Sequence, residues 1–463
     1  MNFFSAIAVF AFCTSDIICA NGPQDSNKLT ITVLSQPAGY HAARAHRLKN
    51  YLLEQAEDLK DVTIDVILTH ELNFSESWTI GPFLPYLLDN SANSNWYFFC
   101  EVGTVIRLNL LVELLNGFNS SQDVWIGHAL YDHEPTIIHH FSEHTKKFKY
   151  PNSVSGYAIS LPLVQRLSAR IVRDEKPDGE FSIDAAHEFA IFVWDEGRGK
   201  RMLHAPELCV VSGDDCATYP QHFHPCGKSV PVERVYVAIK TCSKFHTDRV
   251  SVIKKTWAKY AVNIGYYSDL QDENLPEAIL TPNTKRGHCA KTFSILKHSN
   301  DVLLSKKLDW LLITDDDTIL SLGRLLRLLT CYNPAESVAL GERYGFRLWE
   351  GDGYNYLTGG AGLVLSTGLV SKLIEPGFCS CPSASTPDDM FLFGVCLKRA
   401  GVQPTHLPFF HQARPADYPR PYLASHEPIS FHKFWLVDPE QVYKDWFAEA
   451  DVSLSHPIPH TEL

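Results

Sequence analysis

Four blocks of sequence recur, in the same order, in the two halves of the chain. Asn95-Trp-Tyr-Phe-Phe-Cys-Glu-Val-Gly-Thr104 leads into a leucine-rich run ending at Leu115. Asp309-Trp-Leu-Leu-Ile-Thr-Asp-Asp-Asp-Thr318 leads into a similar run ending at Leu329. Val124-Trp-Ile-Gly127 answers to Val338-Ala-Leu-Gly341. Ser155-Gly-Tyr-Ala-Ile-Ser160, with Leu163 and Val164, answers to Ala361-Gly-Leu-Val-Leu-Ser366, with Leu369 and Val370. One such match is chance; an ordered set of four implies a duplicated domain, because the period is half the chain rather than that of a solenoid. Each half opens on an apolar strand pattern followed by an amphipathic helix pattern, 29–34 then 42–53 and 235–239 then 249–260. Strands alternating with helices predict an α/β fold whose sheets are covered on both faces. At 463 residues, 45% apolar and 20% charged, the chain has material for two such units and is not disordered.

The compartment is read from the ends and the cysteines. The apolar stretch from Met1 to Cys13 is short for a bilayer span, which takes about 20 residues. It suits a signal peptide over residues 1–20, cut after the small residue Ala20, with a retained N-terminal anchor as the alternative. Ten of the twelve cysteines remain after that cut, an even number, and the sequons Asn73-Phe-Ser75 and Asn119-Ser-Ser121 follow. Together these indicate an oxidising secretory compartment. The chain ends His460-Thr-Glu-Leu463, close to an endoplasmic reticulum retrieval signal, so the retrieval receptor is an expected partner and the lumen the expected location. Residues 196–231, rich in Gly, Pro, His and Cys, interrupt the strand–helix pattern and are expected to be a linker stapled through Cys209, Cys216 and Cys226. His222, His224 and Cys226 could also be drawn as a zinc site; the oxidising compartment favours disulfides. A net charge of −12, with no basic run, excludes nucleic-acid binding as the main task.

The chemistry falls in the second half. Trp310-Leu-Leu-Ile-Thr314 has the pattern of a buried strand, and Asp315-Asp316-Asp317 stands at its carboxyl end, where open α/β sheets bind ligands. Three adjacent carboxylates repel one another and favour a nearby cation; a hard divalent ion could share them with a diphosphate. Pro387-Asp388-Asp389 precedes an apolar helix pattern over 390–397. Either Asp caps that helix, or one of them is a general base. Leu357-Thr-Gly-Gly-Ala-Gly362 permits close backbone approach, without the spacing of a P-loop or dinucleotide fingerprint. In the first half Glu101-Val102-Gly103 replaces the triplet and leaves one carboxylate. His139-His140, nearby in this half, could suggest a metal site, but with no partnering acidic or cysteine cluster the pair reads as surface or packing.

The order of motifs resembles the fringe-related β-1,3-glycosyltransferases. Val237-Ala-Ile-Lys-Thr241, Phe245-His246 with Arg249, Thr256-Trp257, Tyr267-Ser-Asp269, His288-Cys-Ala290, Asp315–Asp317, Thr358-Gly-Gly-Ala-Gly362, Pro387-Asp-Asp389 and Phe431-His432 carry the resemblance, over roughly 231–435. It implies two tandem GT-A-like (Rossmann-like) domains, the first degenerate: 21–195 non-catalytic, 196–231 linker, 232–450 catalytic and 451–463 tail. It implies Asp389 as catalytic base, Asp317 and His432 as metal ligands, and Arg249 and Asp316 as donor contacts. Mn²⁺ (or Mg²⁺) is the implied cofactor. The leader, the degenerate first copy and the tail fit those family members that transfer glucose from UDP-glucose to O-linked fucose on thrombospondin type 1 repeats. A galactosyl- or N-acetylglucosaminyltransferase of the same superfamily, or a binding protein on this fold, is the alternative.

Overall fold

The computed structural model describes residues 27–455 except 73, 75, 92, 143–147 and 176–178. The expected leader, the Asn73 sequon and the retrieval-like ending lie outside the described residues. No helix among the described residues is long and apolar enough to cross a membrane. Asn119 is exposed, and its Oδ1 accepts from the Ser121 N–H (3.0 Å) in a tight local turn.

The first half supplies β1 (Asn27–Leu34), β2 (Val62–Leu68), β3 (Trp96–Glu101), β4 (Thr104–Ile106), β5 (Trp125–Gly127), β6 (Tyr157–Ser160), β7 (Leu203–His204) and β8 (Thr218–Pro220). Six of these form one sheet in the order β7-β5-β6-β3-β1-β2, and β4 pairs with β8 outside it. The second half supplies β9 (Val235–Lys240), β10 (Asn263–Ser268), β11 (Trp310–Asp315), β12 (Thr318–Leu320), β13 (Ala339–Gly341), β14 (Leu363–Ser366), β15 (Thr405–His406) and β16 (Ser430–His432). Its sheet runs β15-β13-β14-β11-β9-β10 with Ile279–Leu280 added at the edge, and β12 pairs with β16 outside it. Strand senses match as well. The two outer pairs at β1 and β9 are parallel, and β6 and β14 run antiparallel to both neighbours. Both units are therefore mixed α/β structures with parallel-sheet cores.

The sequence builds these strands because both faces are covered, so the residues alternate between two apolar layers. Val235, Val237, Ile239, Trp310 and Leu312 pack into one cluster, while Tyr236, Ala238, Leu311 and Ile313 pack into the other. The first sheet does the same with Ile31, Val33, Phe98 and Cys100 on one face and Tyr97 and Phe99 on the other. Full burial of each such side chain contributes about 1.5–3 kcal/mol. The halves are fastened by a shared small sheet, in which Phe181–Ser182 pairs with Arg343–Phe346. The Gln36 side chain accepts from the His406 N–H (2.7 Å) and donates to its carbonyl (3.0 Å).

Several expectations are corrected. Residues 196–231 are not a free linker: they contribute β7 and β8, which complete the first unit's sheet and its side pair. Cys209 pairs with Cys216, but Cys226 reaches across to Cys331. That bond removes the thiolate a zinc site at His222, His224 and Cys226 would need. Among the described residues Cys289–Cys381 and Cys379–Cys396 complete four disulfides, while Cys100 and Cys242 stay free, so the even count did not pair every cysteine. Cys100 lies inside β3 with its thiol in the core, beyond the reach of Cys242 in the other unit. The helix pattern over 249–260 is realised in pieces: a π-turn at His246–Val250, a helical turn at Ser251–Lys255 and a 3₁₀ turn at Ala258–Tyr260. His139 does have acidic partners, brought in by folding: Nδ1 meets Asp132 at 2.5 Å and Nε2 meets Asp184 at 3.1 Å. Asp132 lies only seven positions upstream, but Asp184 is 45 positions downstream and comes into contact only through folding.

Candidate active site

Asp315 ends β11, and the triplet turns the chain into β12. The turn is held from below by buried Trp257, whose indole N–H donates to the Thr318 carbonyl (3.0 Å). Opposite, the β12–β16 pairing sets Thr318 across from His432. Asp315, Asp317 and His432 thereby bring three potential ligand atoms within 4.8 Å of one another. His432 Nε2 lies 3.0 Å from Asp317 and 3.8 Å from Asp315. Its other nitrogen, Nδ1, lies 3.0 Å from the Gln412 carbonyl, to which it donates. With Nδ1 engaged there, Nε2 is the nitrogen that faces the carboxylates, donating to Asp317 when protonated and free to offer its lone pair to a metal in their place, the arrangement of a metal-ligating histidine. The donor set fits a divalent cation.

The glycine loop serves this histidine. A Cβ at Gly360 would lie within 2.7 Å of three ring atoms of His432, so only glycine allows the ring its place. Gln412 ties the loop down: its Oε1 accepts from the Ala361 N–H (2.8 Å) and the Thr358 hydroxyl (2.5 Å). Gln412 is held in turn through its backbone N–H, which donates to Glu342 (2.6 Å).

The triplet is divided in role. Asp316 is committed inside the protein, accepting from the Thr241 hydroxyl (2.7 Å) and from Arg249 (2.9 Å); burial pushes its carboxyl up to about 6. Asp317 also meets Arg249 at 2.9 Å. Burial acts most strongly on Asp317 and raises it, but His432 and Arg249 together outweigh burial and hold the carboxyl below its ordinary range. Arg249 stands on the π-turn with its guanidinium 3.8 Å from the Phe245 ring centre. Asp315 was not singled out as a ligand by sequence, yet it joins the cluster where Asp316 does not.

Lys240, at the end of β9, sits between Asp315 and Asp388 at 3.0 Å from each. The β9–β11 register places Lys240 beside Asp315. Asp388 also accepts from the Thr292 hydroxyl (2.5 Å), so neither a helix cap nor a free base remains in it. Burial is the largest influence on Asp388 and raises it, but Lys240 and Thr292 prevail and its carboxyl lies below the ordinary range. Asp389 behaves oppositely. Burial, then the Asp388 charge, pushes it up to about 6. Its one side-chain hydrogen bond among the described residues is from the Met390 N–H (2.8 Å), and the helix that follows carries a π-bulge at Phe391–Val395. Inserted π-turns mark functional sites in helices, and here they flank both Arg249 and Asp389. Two adjacent carboxyls with opposite shifts are the pattern of an assigned base beside an anchored partner.

The first unit has lost this constellation. Its β1–β3 register sets Leu34 beside Glu101 where Lys240 stands beside Asp315. Its β4–β8 register sets Thr104 across from Pro220 where Thr318 faces His432. By the same registers Gly103 takes the place of Asp317. Lys240, Asp315 and Gln412 are the site residues that sequence reasoning missed. Lys240 lay inside a quoted motif, whereas Gln412 had no local signal.

A fringe-like family model matches residues 230–452, which holds every residue of the site. The β-1,3-glucosyltransferase of Homo sapiens is 45% identical over 437 residues, 92% of this chain and 86% of that protein. That of Mus musculus is 44% identical over 438 residues, 92% of this chain and 88% of the other. The β-1,3-N-acetylglucosaminyltransferase lunatic fringe of Danio rerio is 24% identical over 210 residues, 40% of this chain and 56% of that protein. Among solved structures, a glycosyltransferase involved in the glycosylation of the major capsid of PBCV-1 covers 44% of this chain and 96% of its own, at 10% identity and a TM-score of 0.28. The glucosyltransferase similarity runs through both halves, and with it the chain belongs to the fringe-like β-1,3-glucosyltransferases.

Proposed function

We propose that this β-1,3-glucosyltransferase transfers glucose from UDP-glucose, with inversion, to the 3-hydroxyl of O-linked fucose on thrombospondin type 1 repeats in the endoplasmic reticulum lumen. The observation that carries the mechanism is the split between the two acidic sites: a metal-competent cluster of Asp315, Asp317 and His432, and a separate carboxylate, Asp389, poised near neutrality. Asp389 takes the proton of the acceptor hydroxyl as its oxygen bonds to the anomeric carbon. The bond from that carbon to the diphosphate breaks in the same displacement, so no covalent enzyme intermediate forms. Mn²⁺, or Mg²⁺, held by the cluster would neutralise the departing diphosphate; the imidazole ligand favours Mn²⁺. Arg249 supplies positive charge on the donor side, and Asp316 fixes Arg249.

In this reading the two units are tandem GT-A-like domains. The catalytic one spans about 232–450, and the first, without counterparts of Asp317 and His432, is non-catalytic. The retrieval receptor would hold the protein through His460–Leu463. The test is a donor screen with UDP-glucose, UDP-galactose and UDP-N-acetylglucosamine on an O-fucosylated thrombospondin repeat, with Mn²⁺ and with chelator, on wild type and Asp317→Ala. Glucose transfer that needs the metal and Asp317 is expected. Preference for another donor refutes the donor assignment, and full activity of Asp317→Ala in chelator refutes the metal role.

A further inference from the structure

A cavity of about 240 Å³ lies between the halves, away from the Asp315–Asp317 cluster. Ser35 and Gln36 after β1 and Glu101 to Gly103 after β3 form its floor. It is therefore the first unit's version of the crevice at the carboxyl ends of the strands, where α/β sheets take ligands. The second half closes it with Arg343 and Tyr422 among others.

Its chemistry points to a class of occupant. Tyr40, Trp78 and Tyr422 give flat apolar walls. Polar groups with bonding capacity to spare stand beside them. The Glu101 carboxyl, which burial pushes up to about 7, has no side-chain hydrogen bond among the described residues, and Arg343 Nε is buried without a partner among them. The Arg343 guanidinium is 4.3 Å from the Trp78 ring centre, and its one side-chain bond, to Gln36, is long at 3.3 Å. A buried donor left unpaired costs about 1–3 kcal/mol, which a ligand hydroxyl would recover. Glu101, Asp184 and Glu342 share the wall with Arg44 and Arg343. Asp184 is tied to His139, and burial pushes Glu101 up to about 7 and Glu342 up to about 8, so these acids offer hydrogen bonds to hydroxyls more than charge; Gly103 and Pro220 stand where a cation cluster for a diphosphate would be needed. A small ring that is apolar on its faces and hydroxylated at its edge fits all of these features.

We infer that this cavity is a second carbohydrate-binding site, which takes a neutral pyranose apart from the catalytic centre. The inference goes beyond the glucosyl-transfer reaction. The pyranose has two possible sources, a glycan on the acceptor protein or the sugar of a nucleotide donor, and the lining favours the former.

The test is saturation-transfer NMR on the full chain. The probes are methyl β-D-glucopyranoside and methyl α-L-fucopyranoside, each titrated to tens of millimolar, with UDP as competitor. Gly103→Leu fills the cavity. A Cβ there meets nothing nearer than 3.9 Å, so the fold should accept it. Glu101→Ala is the second variant, with melting curves to verify folding of each. We expect at least one glycoside to bind wild type and Asp317→Ala alike. Binding should weaken at least tenfold in Gly103→Leu and in Glu101→Ala, and UDP should not displace the glycoside. No binding to wild type, loss of binding in Asp317→Ala, or unchanged binding in the folded cavity variants would overturn the site. Displacement by UDP would overturn the assignment to a glycan in favour of a nucleotide. Because the readout is glycoside binding without turnover, its failure leaves the transfer assay standing, and the reverse.

Discussion

Asp389→Asn should make the protein more stable and catalytically dead at once. Burial raises the Asp389 carboxyl from an ordinary 3.8 to about 6. A raised folded-state value means that the protonated form is preferred on folding. No penalty is present below about pH 4; it grows between there and about pH 6, and it is complete above. Two pH units at about 1.4 kcal/mol each set a ceiling of about 3 kcal/mol. The side chain is half-buried rather than sealed, so about 1–2 kcal/mol is the working figure. Asparagine titrates nowhere and keeps an oxygen for the Met390 N–H. Urea denaturation of variant and wild type should therefore show the variant ahead by about 1–2 kcal/mol at pH 7.5, with the gap closing towards pH 4.5. Turnover should fall by about 10²–10⁴-fold, the usual worth of a general base. Wild-type kcat should rise with pH through about 6, as the base ionises. Near-normal kcat in Asp389→Asn refutes the base, and equal loss of stability at both pH values shows that Asp389 is a structural cap.

Gly360→Ala should displace the His432 ring, because the added methyl would occupy its space; a shift of about 1 Å at a reacting centre costs on the order of 10²-fold. The variant should raise the Mn²⁺ concentration needed for half-maximal activity, and an unchanged metal titration would show that the ring tolerates the methyl. Lys240→Met leaves Asp315 and Asp388 facing each other without their cation, which should cost about 3–5 kcal/mol at pH 7. The wild-type advantage should shrink below about pH 4, since a carboxyl held low by its partner, as Asp388 is, gives stability that is lost as it protonates; a pH-independent loss would point to packing instead. Cys226 and Cys331 close a loop across 105 positions of chain, so replacing both by serine should cost about 5 kcal/mol in the chain-entropy account, read as a lower melting temperature with activity retained at 20 °C.

The sequence by itself determined the repeating order of elements and the place of the acidic triplet. A strand buried on both faces is predominantly apolar, as Trp310–Ile313 is, and the run of three carboxylates after it marks the strand's carboxyl end. Period and composition carry that information locally. The same logic located Glu101-Val102-Gly103 as the spent counterpart, and the structure places these residues at the equivalent strand end. Tertiary structure alone decided which carboxylates act together. Asp315 and Asp317 converge on His432 because the strand pairing brings a residue more than a hundred positions away across from Thr318, while Asp316 turns inward to Thr241 and Arg249. Asp388 and Asp389, neighbours in sequence, part company because one meets Lys240 and the other only a backbone N–H. His139 acquired two acidic partners, and Cys226 a distant cysteine, for the same reason. Spacing along the chain fixes which face a side chain takes, but contact between elements is set by how the sheets twist and pack, and that is where the cavity between the halves arises.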